Sequence, residues 1–418
     1  MEKIKDLSIS YFTDSFLQKD KRMNASFEGF TLGTALQPVY SLAHKRIVGY
    51  EALLRAEDRH DNSVSPAGLF SSSSAKIQDI ITLDRLSRYL HMHNFTLMND
   101  DISWLFLNVS PQTIKNGRHY GPFFRELLEK YNFPAHRIVI EVVEYPIEDN
   151  MQLVEIVNFY KNMGCLIAID DFGAGYSNFD RIWTLKPDIV KLDRSFLVKA
   201  SNDTSVENML GGIVSLLHQS GSFVLIEGIE TKSQALTAIE CNADFVQGYY
   251  FGKPRTDFYD GIRKFDDFDG LFQDYKNRSD FQDKKNKASV EKFNAFFSET
   301  ISLLKKGESL SRACRTLLRQ KSVVRCYLVD QKGVQTGDTV VSEKYEYKFD
   351  LRFRPLDNSN SADWFRRHYL KRALIHPGQL QITRPYLSIT GAHMCMTLSM
   401  MFYNEKSGNM ILCCDISV

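Results

Sequence analysis

Between residues 33 and 251, eight short apolar, β-branched or aromatic runs recur: TALQPVYSL, RIVGYEALLR, WLFLNVS, RIVIEVVE, LIAIDDF, DIVKLD, FVLIEGIE and FVQGYYFGKP. Stretches with helical spacing separate most of them, among them PFFRELLEKY, MQLVEIVNFYKNMG and VENMLGGIVSLLHQSG, and several end at a glycine as helix stops do. This alternation predicts an α/β fold, a TIM-like (β/α)8 barrel. Only AHKR parts the first run from the second, which is too short for a parallel crossover. Those two runs are expected to form an antiparallel hairpin, giving a barrel with one reversed strand near its start.

Every run after the first carries a polar residue near its end: Glu51, Asn108, Glu141 with Glu144, Asp170 with Asp171, Lys191 with Asp193, Glu227, and Gln247. In a barrel such positions converge on the rim where catalytic loops gather. Two adjacent carboxylates at the end of a buried strand raise each other's pKa unless a cation holds them. Asp171 as a simple helix cap is the alternative for that pair taken alone. Carboxylates plus an amide oxygen, with no cysteine or histidine at equivalent places, are hard oxygen donors that select Mg²⁺ or Mn²⁺ over zinc or copper. Asp170 can bridge two cations while Asp171 binds one, and a pair of ions about 3.5 to 4 Å apart suits phosphoryl displacement. Lys191 adds a point charge beside the water or the phosphate.

With YEALLR, LNVSP, IEVVE, DDFGAGYSN, VKLD, IEGIET and QGYYFGKP in this order over roughly residues 30 to 256, the chain resembles the EAL-domain cyclic di-GMP phosphodiesterases. The resemblance implies hydrolysis of cyclic di-GMP to linear pGpG with two Mg²⁺ or Mn²⁺ ions per active site. It implies that Glu51, Asn108, Glu141 and Asp170 hold one metal, and that Asp170 and Asp171 serve the second. Lys191 would position the nucleophilic water, Glu227 would support that site, and Glu144 would brace the loop 172 to 178. Gln37, Arg55 and Gln247 would meet the substrate, and Tyr250 would stack on a guanine. A homodimer is also implied. The glycines of GAG do not make a phosphate cradle, because Asn178 stands where the third glycine of G-x-G-x-x-G belongs.

Residues 1–29 form an N-terminal segment before the expected barrel at 30–256. Residues 257–289 are charged and mixed, yet Phe265, Phe268, Leu271, Phe272 and Tyr275 keep a helical stripe, so a connecting helix is expected, with a signalling or dimerising helix as its rival. Residues 290–418 read as an α+β module, with helices near 290–306, 309–320 and 361–374 and strands in VVRCYLVD, LQITRPYLS, HMCMTLSMMFY and MILCCDIS. This module resembles PAS-like or Cache-like sensor domains, and also the C-terminal domain of a Bacillus member of the EAL family. A regulatory role with an unknown ligand follows as an expectation.

The 52 basic and 51 acidic residues nearly cancel, so no global field holds the chain on nucleic acid, and no DNA or RNA binding is expected. No run of about 18 apolar residues occurs, which predicts no membrane span and a cytoplasmic protein. Seven scattered cysteines without a C-x-x-C pattern fit reduced, buried thiols. Three readings of function remain: a metal-dependent phosphodiesterase, a catalytically silent cyclic di-GMP receptor acting through protein contacts, and an inactive dimer scaffold.

Overall fold

A computed structural model describes residues 8–19, 22–71, 76–110, 113, 120–143, 150–174, 179–258, 264–345, 360–388 and 394–417. The chain divides into two compact units, Met1–Lys276 and Asn277–Val418.

The first unit opens with a 3-10 turn, Ile9–Ser15, and the strands β1 (Phe16–Lys19) and β2 (Arg22–Phe27). The barrel follows as β3 (Phe30–Ser41), β4 (Arg46–Glu57), a short β5 (Ser63–Val64), β6 (Trp104–Val109), β7 (Ile138–Val143), β8 (Leu166–Phe172), β9 (Ile189–Leu192), β10 (Phe223–Ile226) and β11 (Phe245–Val246). Strand order runs β3-β11-β10-β9-β8-β7-β6-β4 and closes through pairing of β4 with β3. Strand β3 lies antiparallel to both neighbours, β4 and β11, while the other contacts around the ring are parallel. This is the reversed strand that the four-residue connection requires.

Helices such as Ile77–Thr96, Tyr120–Tyr131, Asn150–Asn162 and Thr204–Gln219 return the chain between parallel strands. Their apolar faces meet the outward strand residues in one large core that includes Leu86, Leu107, Ile140, Ile167, Val190 and Ile226. The stripe Phe265, Phe268, Leu271, Phe272 and Tyr275 packs against this same core. The helix beneath it does not stop near residue 289: it runs unbroken from Phe268 to Lys305, so the separate helix expected at 290–306 is its second half.

In the second unit an antiparallel sheet runs β13-β12-β17-β16-β14, with β15 also on β16. The strands are β12 (Val323–Asp330), β13 (Gln335–Val341), β14 (Gln381–Ile382), β15 (Tyr386–Leu387), β16 (Met394–Asn404) and β17 (Gly408–Ser417). LQITRPYLS is thus two short pieces, split where Pro385 has no N–H to give a ladder. The helix expected at 309–320 is broken at Cys314, and the one expected at 361–374 starts only at His368. One buried ion pair crosses β12 and β17: Arg325 Nε donates to Asp415 Oδ2 at 2.7 Å, Arg325 Nη2 to Ser388 Oγ at 2.5 Å, and Thr397 Oγ1 to Asp415 Oδ1 at 2.7 Å. All seven cysteines are buried and unpaired. Among the described residues no helix is long and apolar enough to cross a membrane.

Candidate active site

Period-two alternation builds the site. The barrel interior is filled by Val39, Phe106, Val139, Ala168, Ile189, Leu225 and Phe245, a cluster separate from the core under the helices. Gly49 takes the place of β4 in that set, where a Cβ would fall 2.7 Å from the Phe106 ring and 2.9 Å from the Trp104 carbonyl oxygen. A step of two residues toward the mouth stays on the same face. There every strand presents a polar side chain: Gln37, Glu51, Asn108, Glu141, Asp170, Lys191, Glu227 and Gln247. On the reversed β3 that step runs backwards, from Val39 to Gln37, and the register sets Gln37 opposite Glu51.

Asp171 breaks the alternation and needs its own cause. Regular pleating would turn it outward, away from Asp170. Between Ile169 and Phe172 the pairing with β9 slips, so three steps on β8 match two on β9, a β-bulge. Asp171 itself takes φ +55°, a left-handed conformation that aspartate tolerates better than most residues. Both carboxylates therefore stay at the mouth, and Phe172 returns to the outer core. The following Gly173, at φ +103°, lies against Phe196, whose ring atom would be 1.9 Å from a Cβ.

Lys191 stands at the centre, with its side chain 1% exposed. Its Nζ lies 2.5 Å from Glu141 Oε1, 2.6 Å from Glu227 Oε1, 2.8 Å from Asp170 Oδ1 and 3.6 Å from Glu51 Oε1. Asn108 Nδ2 donates to Glu141 Oε2 at 2.9 Å and reaches Glu51 Oε1 at 3.4 Å, while Gln247 Nε2 donates to Glu51 Oε2 at 2.8 Å. Four carboxylates, those of Glu51, Glu141, Asp170 and Glu227, thus surround one ammonium, and the fifth, Asp171, lies within its electrostatic reach. Burial by itself would lower the Lys191 pKa, but Asp170, Glu141, Glu227 and Glu51 push it well above the ordinary value. Burial, reinforced by Asp170 and Glu51 against the opposing pull of Lys191, raises Glu227 to about 8. Burial and then Asp170 raise Asp171 to about 6, and burial with Glu51 raises Glu141.

Such a surplus of buried negative charge fits added cations. Asp170, Asp171 and Glu227 each offer a carboxylate oxygen within 4.8 Å of the others. Glu141 Oε1, Asp170 Oδ1 and Glu227 Oε1 are buried and share the single Lys191 ammonium, and Gln247 Oε1 is buried without a hydrogen-bond partner. An amide's oxygen and nitrogen occupy nearly equivalent places, so Asn108 also offers an oxygen donor beside Glu51 and Glu141. All donors are oxygens, the chemistry of Mg²⁺ and Mn²⁺.

Of the other residues singled out in the sequence, Gln37 is buried and its Nε2 donates to the Gly252 carbonyl at 3.2 Å. Arg55 is half-buried, donates to its neighbour's carbonyl, Leu54 O, and lies within electrostatic reach of Glu51 and Tyr249. Tyr250 is set apart: its ring packs on Phe251 and Phe265, with centroids 5.2 Å away in each case. The exposed ring beside Arg55 is Tyr249, 56% exposed, with Lys253 Nζ 5.5 Å from its centroid. Glu144 and most of the loop 172 to 178 lie outside the described residues. Sequence reasoning missed Tyr249, because two adjacent tyrosines carry no mark of which one faces solvent. It also left Glu227 outside the ligand set, although its strand-end position was the same signal that singled out Asp170.

Residues 21–254 match the model of the EAL domain. Over 233 residues, 53% of this chain and 54% of the relative, the sequence is 31% identical to the uncharacterized EAL-domain containing protein YkuI of Bacillus subtilis. Over 237 residues, 55% of this chain and 58% of the relative, it is 27% identical to the cyclic di-GMP phosphodiesterase RocR of Pseudomonas aeruginosa. These matches span little more than half the length of either relative. The crystal structure of Bacillus subtilis YkuI, in complex with substrate c-di-GMP and calcium, superposes with a TM-score of 0.77 at 23% identity, covering 93% of this chain and 96% of that one. That likeness carries the fold of both units. The EAL enzyme Bd1971 in its cAMP and cyclic-di-GMP bound form is 26% identical over 56% of this chain and 65% of its own, with a TM-score of 0.51.

Proposed function

This chain belongs to the EAL-domain family, and from that premise we propose that it hydrolyses one phosphodiester bond of cyclic di-GMP to give linear pGpG. The observation that carries this reading is the buried Lys191 ammonium ringed by more carboxylates than it can neutralise. The names of relatives support the substrate: RocR is a cyclic di-GMP phosphodiesterase, and Bd1971 and YkuI have been crystallised with the dinucleotide.

Glu51, Asn108, Glu141 and Asp170 would hold one divalent ion, and Asp170 with Asp171 and Glu227 would hold the other. When bound, Mg²⁺ or Mn²⁺ at these places supplies Lewis-acid stabilisation of the phosphoryl oxygens and an activated water. Lys191 brings a fixed positive charge to the reacting phosphate and orients the attacking water. Glu227 Oε1 and Glu141 Oε1 hold that ammonium from two sides, so it meets the transition state without reorganising. Asp171 is available to take the proton that the water gives up. Gln37, Arg55 and Gln247 bind the substrate, and the exposed ring of Tyr249 stacks on a guanine, while Tyr250 packs on Phe251 and Phe265. The protein works as a homodimer.

The second unit serves as a regulatory, PAS-like or Cache-like module. Purified protein with Mn²⁺ and cyclic di-GMP tests the enzyme: linear product supports hydrolysis, whereas tight binding without product makes the chain a receptor. The same assay after truncation tests regulation, and the cut belongs after residue 276, because Phe268, Leu271, Phe272 and Tyr275 pack on the barrel core. Unchanged turnover, assembly and small-molecule response in the truncated protein would remove the regulatory role.

A further inference from the structure

Asn108 is the penultimate residue of β6. A cavity of about 440 Å³ opens beside it, lined by Leu54, Phe70, Asp84, Arg88, His91 and Asn108 among others. Burial of Val109 and the pairing of β6 with β7 hold this strand end from one side, and at the cavity the backbone N–H of Ser110, two residues beyond Asn108, donates to Asp84 Oδ1 at 2.8 Å.

Asp84 is itself held firmly. It lies in the helix Ile77–Thr96, 3% exposed, and its other oxygen accepts from Arg88 Nη2 at 2.5 Å, one helical turn away. Arg88, 2% exposed, donates through Nη1 to the Tyr160 hydroxyl at 2.8 Å, and its guanidinium lies over the rings of Phe123 and Phe124. A buried, desolvated ion pair of this kind keeps its geometry, because neither charge can leave without stranding the other. The chain Tyr160–Arg88–Asp84 thus ties β6 to two helices of the outer ring, and its free carboxylate oxygen ends on the backbone that carries Asn108.

We propose that Asp84 is a positioning residue: through the Ser110 N–H it fixes where Asn108 meets Glu51 and Glu141, and so sets the affinity of that corner of the site for a divalent cation. The inference rests on the metal-binding reading above but not on turnover. Asp84 touches neither substrate nor the reacting atoms; its effect passes through the backbone of β6.

The test is a double-mutant cycle read by Mn²⁺ binding in calorimetry, with cyclic di-GMP hydrolysis as a second readout. Asp84→Ala and Asn108→Ala are each expected to weaken Mn²⁺ binding about tenfold or more, and the double variant to bind no worse than Asn108→Ala alone, because both changes disable the same ligand. Additive losses in the double variant would overturn the proposal, as would unaltered Mn²⁺ affinity in a folded Asp84→Ala protein. Should Asp84→Ala fail to fold with Arg88 left unpaired, Asp84→Ala/Arg88→Met removes both charges and carries the same cycle. A wild type that binds Mn²⁺ without making linear product defeats the phosphodiesterase reading and leaves this cycle readable.

Discussion

Both units bury charge, and they do so in opposite ways. In the second unit Arg325 and Asp415 form a balanced pair, and Ser388 and Thr397 take up hydrogen bonds from the arginine and to the carboxylate. In the barrel, Lys191 faces carboxylates that it cannot neutralise, and several of their oxygens share its one ammonium. Burying a charge is tolerable when the fold supplies its partner. An unbalanced cluster holds only by taking protons or cations from outside, so imbalance, rather than burial, separates a site from a structural ion pair.

The largest expected effect breaks the barrel cluster. Glu51→Ala should abolish formation of linear product, at a cost of at least about 10³-fold, in an assay with saturating Mn²⁺; full activity in this variant would remove Glu51 from the ligand set. The matching change in the second unit, Asp415→Ala, should leave Mn²⁺ affinity untouched and destabilise the protein by about 3–5 kcal/mol in denaturant titration, the cost of stranding a buried partner. Lys191→Ala should slow turnover by about 10² to 10⁴-fold while cyclic di-GMP still binds, as judged by calorimetry. Calcium as sole cation should lower turnover at least about tenfold, because its larger and looser coordination fits a site for compact octahedral ions poorly.

Protons give a finer test. Asp171 and Glu227 are raised in the folded protein to about 6 and about 8, above their ordinary values of 3.8 and 4.5. Their protonated forms favour folding, so that contribution is complete below about pH 4 and is lost as pH rises through about 6 and then 8. The melting temperature of the metal-free protein should fall across this window, and Mn²⁺ should restore it most at the alkaline end. A metal-free protein that gains stability from pH 4 to pH 8 would contradict the crowded-carboxylate picture. The smallest effect is expected from Arg325→Met/Asp415→Leu, which removes a balanced pair entirely and should cost far less in stability than either single change.

Much of this was legible in the sequence, for a physical reason: strand periodicity of two and a buried interior force the polar residue at each strand end onto the same mouth. The four-residue connection AHKR likewise dictated the reversed strand. Other features left no such mark. QTGDTVV forms β13 although its alternation is too polar to read as a strand, and β11 shrinks to two residues because Gly248, at φ +155°, turns the chain against Ile229 immediately after Gln247. The helix Phe268–Lys305 hides its continuity behind a mixed, charged middle. Asp84 and Arg88 drew no notice in the sequence, because a tether to a distant backbone N–H has no local signature.

The bulge in β8 makes the length of that segment matter more than its wording. Deleting one residue between Ile169 and Phe172 removes one of the two acids and evens the ladder: the remaining carboxylate stays at the mouth and Phe172 in the outer core, but the second carboxylate is gone. Many apolar exchanges at Ile167 or Ile169 should therefore be survivable, while a change of a single codon in length there would disarm the barrel without unfolding it.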